Sequence, residues 1–174
     1  MMQPAIQDAL NEQINMEMRS HATYLAMSAY FEDTGLKGFA AWMYGHAQEE
    51  MVHAMKIYHF IHSRRGRVKL LALPEPPFNW DSPLAALENA LEQEQAVTAA
   101  INQIVQTVRQ EADYATDSFL KWFVDEQVEE EEVVDDAIQK LKLIGDFRPG
   151  LYLLDQELAG KGGSQGAGET AAGE

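Results

Sequence analysis

The sequence predicts an all-α protein, a four-helix bundle with one long crossover and a short fifth helix near its C-terminal end. Two observations lead to this prediction. Four long segments repeat their apolar residues with the period of an α-helix, and the alternation that is typical of β-strands is missing. In addition, the connection between the second and third segments is long and rich in proline, whereas the other two connections are short.

The four periodic segments predict four helices of about thirty residues each. We number them α1 to α4 and expect them over residues 5–33, 37–65, 83–111 and 113–144. Pro4 and Pro83 stand in or next to a first helical turn, where a proline is tolerated because its missing N–H has no helical partner anyway. Gly35 and Gly145 stand where helices commonly end.

The connections predict the topology of the bundle. Helices α1 and α2, and again α3 and α4, are joined by only a few residues, so each pair forms an antiparallel hairpin. Between α2 and α3 lies GRVKLLALPEPPFNWDS, whose roughly 15 extended residues reach about 50 Å. A helix of about thirty residues is about 45 Å long. The connection therefore spans the whole bundle, and α2 and α3 run parallel.

The C-terminal part of the chain predicts a fifth helix followed by a tail. The segment FRPGLYLLDQELAG is short and amphipathic, and we expect it to form the fifth helix. Residues 159–174 contain almost no large apolar side chain, so we expect a disordered, glycine-rich tail. We expect residues 1–158 to form one domain.

The composition excludes several classes of protein. Because there is no cysteine, disulfides, cysteine-ligated zinc and cysteine-ligated iron–sulfur clusters are excluded. The net charge of −15 disfavours nucleic-acid binding, since the phosphate backbone is also negative. No segment approaches the ~20 apolar residues that a membrane span requires, and no leader sequence is recognisable. We therefore expect a cytoplasmic protein that binds neither nucleic acid nor membrane.

Each predicted helix carries an apolar stripe that becomes polar near its middle. Inward-facing positions of a bundle recur at alternating steps of three and four residues. Helices of equal length that lie side by side bring their middles to the same height, so these polar positions converge in the interior. They are Glu17 and Tyr24 in α1, Glu50 and His53 in α2, Glu94 in α3, and Gln127 and Glu130 in α4.

Four carboxylates inside one bundle require compensating charge. Buried carboxylates without a partner are very costly, and the four stripes contain no lysine or arginine. Two divalent cations would neutralise them, and carboxylates are suitable ligands for such ions. The sequence therefore predicts a di-metal site. The alternative is a scaffold or interaction protein whose glutamates are solvated or form a polar layer that only sets helix register.

Four motifs in this order resemble the bacterial non-haem ferritins over residues 1–158. They are Glu17 with Tyr24, the run HAQEEMVH that ends in Glu50-x-x-His53, Glu94 in LEQEQ, and the EQVEEE segment of α4. Ferritin-like di-iron proteins are known for such a site, to which two helices each supply a Glu and the other two a Glu-x-x-His. The resemblance implies a shell of 24 subunits in which the fifth helix packs around a symmetry axis, and which stores iron as a ferric mineral.

The resemblance also implies roles for individual residues in a ferroxidase reaction between Fe(II) and dioxygen. Glu17, Glu50 and His53 would hold the first iron, Glu50 would bridge, and Glu94 and Glu130 would hold the second. Gln127 would be a nearby hydrogen-bonding or weakly coordinating residue. Tyr24 would donate an electron. A third iron site would use Glu49, Glu126 and Glu129.

Two related functions remain as alternatives. The first is a haem-containing bacterioferritin, because Met51 occupies the position of that family's haem ligand. However, bacterioferritins carry Glu-x-x-His in α4, where this chain has Gln127-x-x-Glu130, so we expect no haem. The second is a di-iron redox enzyme that acts on an organic substrate. We interpret His46 as a core histidine and Trp122 as a packing residue.

Overall fold

The computed structural model describes residues 2–162, and in that range it contains five helices and no strand. The helices are α1 (Pro4–Thr34), α2 (Lys37–Ser63), α3 (Pro83–Gln110), α4 (Tyr114–Ile144) and α5 (Arg148–Gly162). The predicted all-α bundle with a short fifth helix is therefore confirmed. None of the described helices is long and apolar enough to pass through a membrane.

Helix ends differ from the predicted bounds where the backbone leaves the helical region. Helix α2 stops before Arg65, which has a φ of 59°, and α3 stops before Ala112, which has a φ of 54°. Asp113 is the N-cap of α4, and its carboxylate accepts a hydrogen bond from the backbone N–H of Thr116. Helix α5 continues to Gly162, beyond the boundary predicted at residue 158, and the rest of the predicted tail lies outside the described residues.

The connection between α2 and α3 spans the length of the bundle, as predicted, and it runs beside α1. Near the start of α1, the Asn11 amide donates to the carbonyl oxygen of Arg67 at 3.0 Å and accepts from the N–H of Lys69 at 2.8 Å. Near the end of α1, the ring of Trp80 packs edge-on against Tyr30, with 5.4 Å between centroids. These contacts tie the two ends of the connection to opposite ends of α1, which makes α2 and α3 parallel.

The hydrophobic core consists of two clusters, one towards each end of the bundle. Phe31 and Trp42 belong to the first cluster, which also contains residues of α5. Leu10 and Phe123 belong to the second. A fully buried side chain of this size contributes about 1.5–3 kcal/mol of transfer free energy, so the two clusters supply most of the driving force for folding. The middles of α1 to α4 lie between them.

Helix α5 is docked onto the beginning of α2. The N-cap of α2, Leu36, has no side chain that can accept a hydrogen bond from the first turn. The buried carboxylate of Asp155 fulfils that function from α5, since its Oδ1 accepts from the backbone N–H groups of Gly38 at 2.7 Å and Phe39 at 3.0 Å. The approach requires glycine, because a Cβ on Gly38 would lie 1.6 Å from the carbonyl oxygen of Asp155.

Replacement of Asp155 by alanine should destabilise the fold. The change leaves two N–H groups at the start of α2 without their acceptor, and loss of such a cap typically costs about 0.5–2 kcal/mol. We expect a lower thermal midpoint for Asp155→Ala, measured by calorimetry on the metal-free protein. Gln156→Ala, an exposed neighbour on the same helix, is the control. Equal midpoints for the two variants would contradict the capping role.

Candidate metal centre

The polar middles of the four helices meet between the two apolar clusters. Every residue predicted to form the di-metal site is buried, with at most 6% of its surface exposed. These residues are Glu17, Glu50, His53, Glu94, Gln127 and Glu130. No lysine or arginine is among the buried residues in the part of the chain that the structure describes. The carboxylates therefore have to be compensated by protons, by histidine or by metal ions.

Glu17, Glu50 and His53 form one half of the site. Each offers one donor atom, and these three atoms lie within 4.8 Å of one another. The Oε2 atoms of Glu17 and Glu50 are buried and have no hydrogen-bond partner. Because a buried carboxylate oxygen without a partner is costly, a cation between these groups would resolve an otherwise unfavourable arrangement. Two carboxylates and one imidazole are a donor set that suits Fe(II).

Glu94 lies in the other half of the site, where hydrogen bonds hold both of its carboxylate oxygens. The hydroxyl of Tyr24 donates to Oε1 at 2.5 Å. The amide of Gln127 donates to Oε2 at 3.2 Å and lies 3.3 Å from the hydroxyl of Thr98. The sequence placed Tyr24 and Gln127 on the inward-facing stripes of α1 and α4. In the structure both residues contact Glu94 directly.

His46 lies in the core, as interpreted, and it also contacts the site. It is buried, but its Nδ1 lies 3.1 Å from Oε2 of Glu130 and 3.5 Å from Oε2 of Glu49. Its ring stacks on Tyr24 with 5.1 Å between centroids. The spacing of four residues between His46 and Glu50 was the available signal, because it places both on one helix face.

Of the three residues predicted for a third iron site, Glu49 and Glu126 approach Glu130, whereas Glu129 is exposed. Glu126 forms a group with His53 and Glu130 whose donor atoms lie within 4.8 Å, and Glu49 forms a similar group with His46 and Glu130. Glu129 is exposed and belongs to none of the metal-capable groups found among the described residues. Glu49 and Glu126 therefore both approach Glu130.

Burial and mutual repulsion favour protonated carboxyl groups in the metal-free site. Burial, reinforced by the charges of Glu94 and Glu17, raises the pKa of Glu50 well above its ordinary value. Burial and the charge of Glu130 raise the pKa of Glu94 to about 7, although the hydrogen bonds from Tyr24 and Gln127 oppose this. At neutral pH the site thus retains protons that a metal ion must displace.

His46 and Glu130 shift each other's pKa in the directions that favour an ion pair. Burial opposes ionisation of Glu130, but the neighbouring His46 outweighs it and lowers the pKa of the carboxyl group. Burial likewise opposes protonation of His46. The charge of Glu130 outweighs this effect of burial, so the pKa of the imidazole is raised. Tyr24 stays neutral, because burial and the charge of Glu94 raise its pKa well above the ordinary value.

Two further contacts involve residues predicted as metal ligands. The ring of Trp122 packs edge-on against His53, with 5.3 Å between centroids, in agreement with a packing role. The amide of Gln13 donates to Oε1 of Glu17 at 2.7 Å. The sequence analysis missed Gln13, although it lies four residues before Glu17 on the same helix face.

Comparison with known proteins identifies the family. A family model described as a ferritin-like domain matches residues 7–144. The chain belongs to the ferritin family. It is 40% identical over 161 residues to the bacterial non-heme ferritin of Staphylococcus saprophyticus, which covers 92% of this chain and 96% of that protein. The bacterial non-heme ferritin of Staphylococcus aureus strain USA300 is 40% identical over 154 residues, which is 88% of this chain and 93% of the relative.

Solved ferritin structures have the same fold. The open pore ferritin of the hyperthermophilic archaeon Archaeoglobus fulgidus superimposes with a TM-score of 0.90 at 49% identity, covering 91% of this chain and 98% of that one. The engineered closed form of the same ferritin also gives 0.90 at 49% identity, covering 91% and 97%. The resemblance to the bacterial non-haem ferritins and the predicted ferritin fold are thereby confirmed.

Metal binding to this ferritin should release protons in a pH-dependent manner. Because the pKa of Glu94 is raised to about 7, this carboxyl group is mostly protonated at pH 6 and mostly ionised at pH 8. Zn(II) must displace the proton, so we expect more protons released per bound Zn(II) at pH 6 than at pH 8, and an affinity that rises with pH across this window. Calorimetry in buffers of different ionisation enthalpy measures this release.

Two variants test whether Glu94 is the source of these protons. Glu94→Gln should reduce the extra release at pH 6, since an amide holds no titratable proton. Glu92→Gln, an exposed position on the same helix, should behave like the unaltered protein. Equal release at pH 6 and pH 8 in the unaltered protein would refute the prediction.

Proposed function

We propose that this protein is an iron-storage ferritin with ferroxidase activity, acting in the cytoplasm. It oxidises Fe(II) with dioxygen at a di-iron site within each subunit and stores the product as ferric oxide-hydroxide. The main support is the set of buried carboxylates, of which Glu17 and Glu50 each have an oxygen without a hydrogen-bond partner. The named relatives, which are non-heme ferritins, point in the same direction.

The proposed ligands follow the two halves of the site. Glu17, Glu50 and His53 bind the first Fe(II), which the close approach of their donor atoms supports. Glu94 and Glu130 bind the second, and Glu50 bridges because it interacts electrostatically with both halves. Gln127 orients Glu94 through its amide. Two bound Fe(II) ions neutralise four carboxylates, so the loaded site carries no uncompensated charge.

The reaction requires both electrons and protons to be balanced. Two Fe(II) ions supply two electrons, which with two protons convert dioxygen into hydrogen peroxide, and hydrolysis of Fe(III) to the oxide-hydroxide then releases protons. Reduction of dioxygen to water instead takes four electrons and four protons, two electrons more than the di-iron site supplies, and we propose that one of these comes from a third Fe(II) and the other from Tyr24. Its hydroxyl lies 2.5 Å from Oε1 of Glu94, which accepts the phenolic proton as the electron leaves.

A third iron site is proposed beside Glu130. Glu130 forms one group with Glu49 and His46 and a separate group with Glu126 and His53, and the donor atoms of each group lie close enough to share a cation. Glu129 is exposed, so its carboxylate is available to iron from solvent. An ion at this position would connect the di-iron site with the surface of the subunit.

The ferroxidase proposal is tested by the first turnover. Metal-free protein mixed with two Fe(II) per chain in air should develop ferric absorbance and consume oxygen within a fraction of a second. His53→Ala and Glu94→Ala should lose this fast phase, because each removes a proposed ligand, whereas Glu92→Ala should retain it. Stopped-flow absorbance and an oxygen electrode provide the measurements. Oxidation no faster than in buffer would refute the proposal.

The proposed shell of 24 subunits is tested by particle mass. Subunits of 19.5 kDa would give a particle of about 470 kDa with closed symmetry. Helix α5 presents the exposed apolar side chains Tyr152 and Leu153, which is consistent with burial against other subunits. Light scattering or native mass spectrometry should give this mass, and Tyr152→Glu with Leu153→Glu should lower it. A monomer in solution would contradict the proposed shell.

A further inference from the structure

Gln13 is a buried amide that touches one proposed ligand and has no role in the function described so far. It lies on α1 one turn before Glu17, with only 2% of its surface exposed. Its Nε2 donates to Oε1 of Glu17 at 2.7 Å. We propose that Gln13 is a positioning residue of the metal centre, which holds Oε1 of Glu17 so that Oε2 is presented to the first metal ion. The inference rests on the proposed metal centre.

The two oxygens of Glu17 have different environments. Oε1 accepts the hydrogen bond from Gln13, whereas Oε2 is buried and has no hydrogen-bond partner. A carboxylate oxygen of Glu17 also lies within 4.8 Å of donor atoms of Glu50 and His53. Since the amide already engages Oε1, Oε2 is the atom that is available for a metal ion. The hydrogen bond thus gives the two oxygens of Glu17 different roles, since Gln13 holds Oε1 and Oε2 binds the metal ion.

This position requires a neutral donor. The terminal torsion of a glutamate has a broad energy minimum, so an unrestrained carboxylate rotates readily. In this site the neighbouring carboxyl group of Glu50, which interacts with Glu17 by charge and by hydrogen bonding, would draw either oxygen towards itself. A lysine or arginine at position 13 would hold Glu17 as well, but its charge would compete with the metal ion. An amide restrains the carboxylate without that competition, as outer hydrogen bonds do in other metal sites.

Gln13 also separates Glu17 from solvent. The side chain lines a groove of about 220 Å³ between α1 and α3, together with Met16, Arg19 and Gln103. Truncation of Gln13 to alanine would remove the hydrogen bond and also widen this groove towards Glu17, so the two effects on metal binding would not be separated. Methionine has nearly the same length and volume but no N–H group, so Gln13→Met removes the hydrogen bond and retains the packing.

Gln127 provides a second example of the same arrangement. It lines a groove of about 280 Å³ between α3 and α4, and its amide donates to Oε2 of Glu94 at 3.2 Å. Each half of the site therefore has a buried glutamine between a surface groove and one carboxylate. The sequence analysis included Gln127 because the stripe of α4 passes through it, whereas Gln13 lies one turn outside the polar middle of α1.

Co(II) binding to the full-length, metal-free protein tests the proposal. Titration calorimetry and visible absorption give the number of sites and their affinities. In Gln13→Met we expect one Co(II) equivalent per chain to bind about 10- to 100-fold more weakly, which is the usual effect of losing such an outer contact. Gln103→Met, in the same groove but exposed, should bind like the unaltered protein.

A double-mutant cycle distinguishes positioning from a general structural effect. Glu17→Gln should weaken the same Co(II) equivalent, and adding Gln13→Met to it should cause no further loss, because the two residues act through one contact. Because Gln13→Met leaves a buried oxygen of Glu17 without its donor, the thermal midpoint of the metal-free variant should fall, but the variant should be fully folded at the temperature of the titration.

The outcomes separate this inference from the proposed function. Tight Co(II) binding by Gln13→Met, or an equal and additive loss in the Glu17→Gln background, overturns the role of Gln13 and leaves the metal centre intact. If the unaltered protein binds no Co(II) stoichiometrically, the metal centre itself is refuted, and the inference is refuted with it.

Discussion

The structure depends on the burial of four glutamates in one layer of the bundle. Carboxylates in an apolar interior oppose folding unless protons, hydrogen bonds or cations compensate them. The metal-free chain uses the first two, as the raised pKa values of Glu50 and Glu94 indicate. The apolar clusters on either side must outweigh the remaining cost. A ligand that binds only the folded protein stabilises it by mass action. Metal binding would therefore offset the free-energy cost of burying these carboxylates.

Topology determines whether such a layer can form. The four segments that carry the buried glutamates reach the same height only when each helix spans the whole bundle and when α2 runs parallel to α3. The connection between these helices satisfies this requirement because Asn11 holds its beginning and Trp80 packs near its end, at opposite ends of α1. Asp155 of α5 also helps to position α2. It caps the first turn of this helix, which carries Glu50 and His53.

Periodicity was sufficient to predict the fold and the meeting of the four glutamates, because both depend only on helix length and on which face turns inward. Contacts between helices could not be predicted in the same way. Whether His46 reaches Glu130, or Asp155 reaches Gly38, depends on helix rotation and side-chain rotamers. The ends of α2 and α3 were predicted to within two residues, and the small difference arises because the positive φ angles of Arg65 and Ala112 have no glycine to signal them.

The two halves of the site differ in the number of hydrogen bonds with which a cation would have to compete. Glu17 has one oxygen held by Gln13 and one without a partner, whereas both oxygens of Glu94 accept hydrogen bonds, from Tyr24 and Gln127. A cation at the first half therefore meets an available oxygen, but one at Glu94 must displace a donor or share its oxygen with it. A proton must be lost in both halves, since burial raises the pKa of Glu50 in the first half and that of Glu94 in the second. The asymmetry therefore lies in the hydrogen bonds, because a cation would compete with donors at Glu94 but not at Oε2 of Glu17.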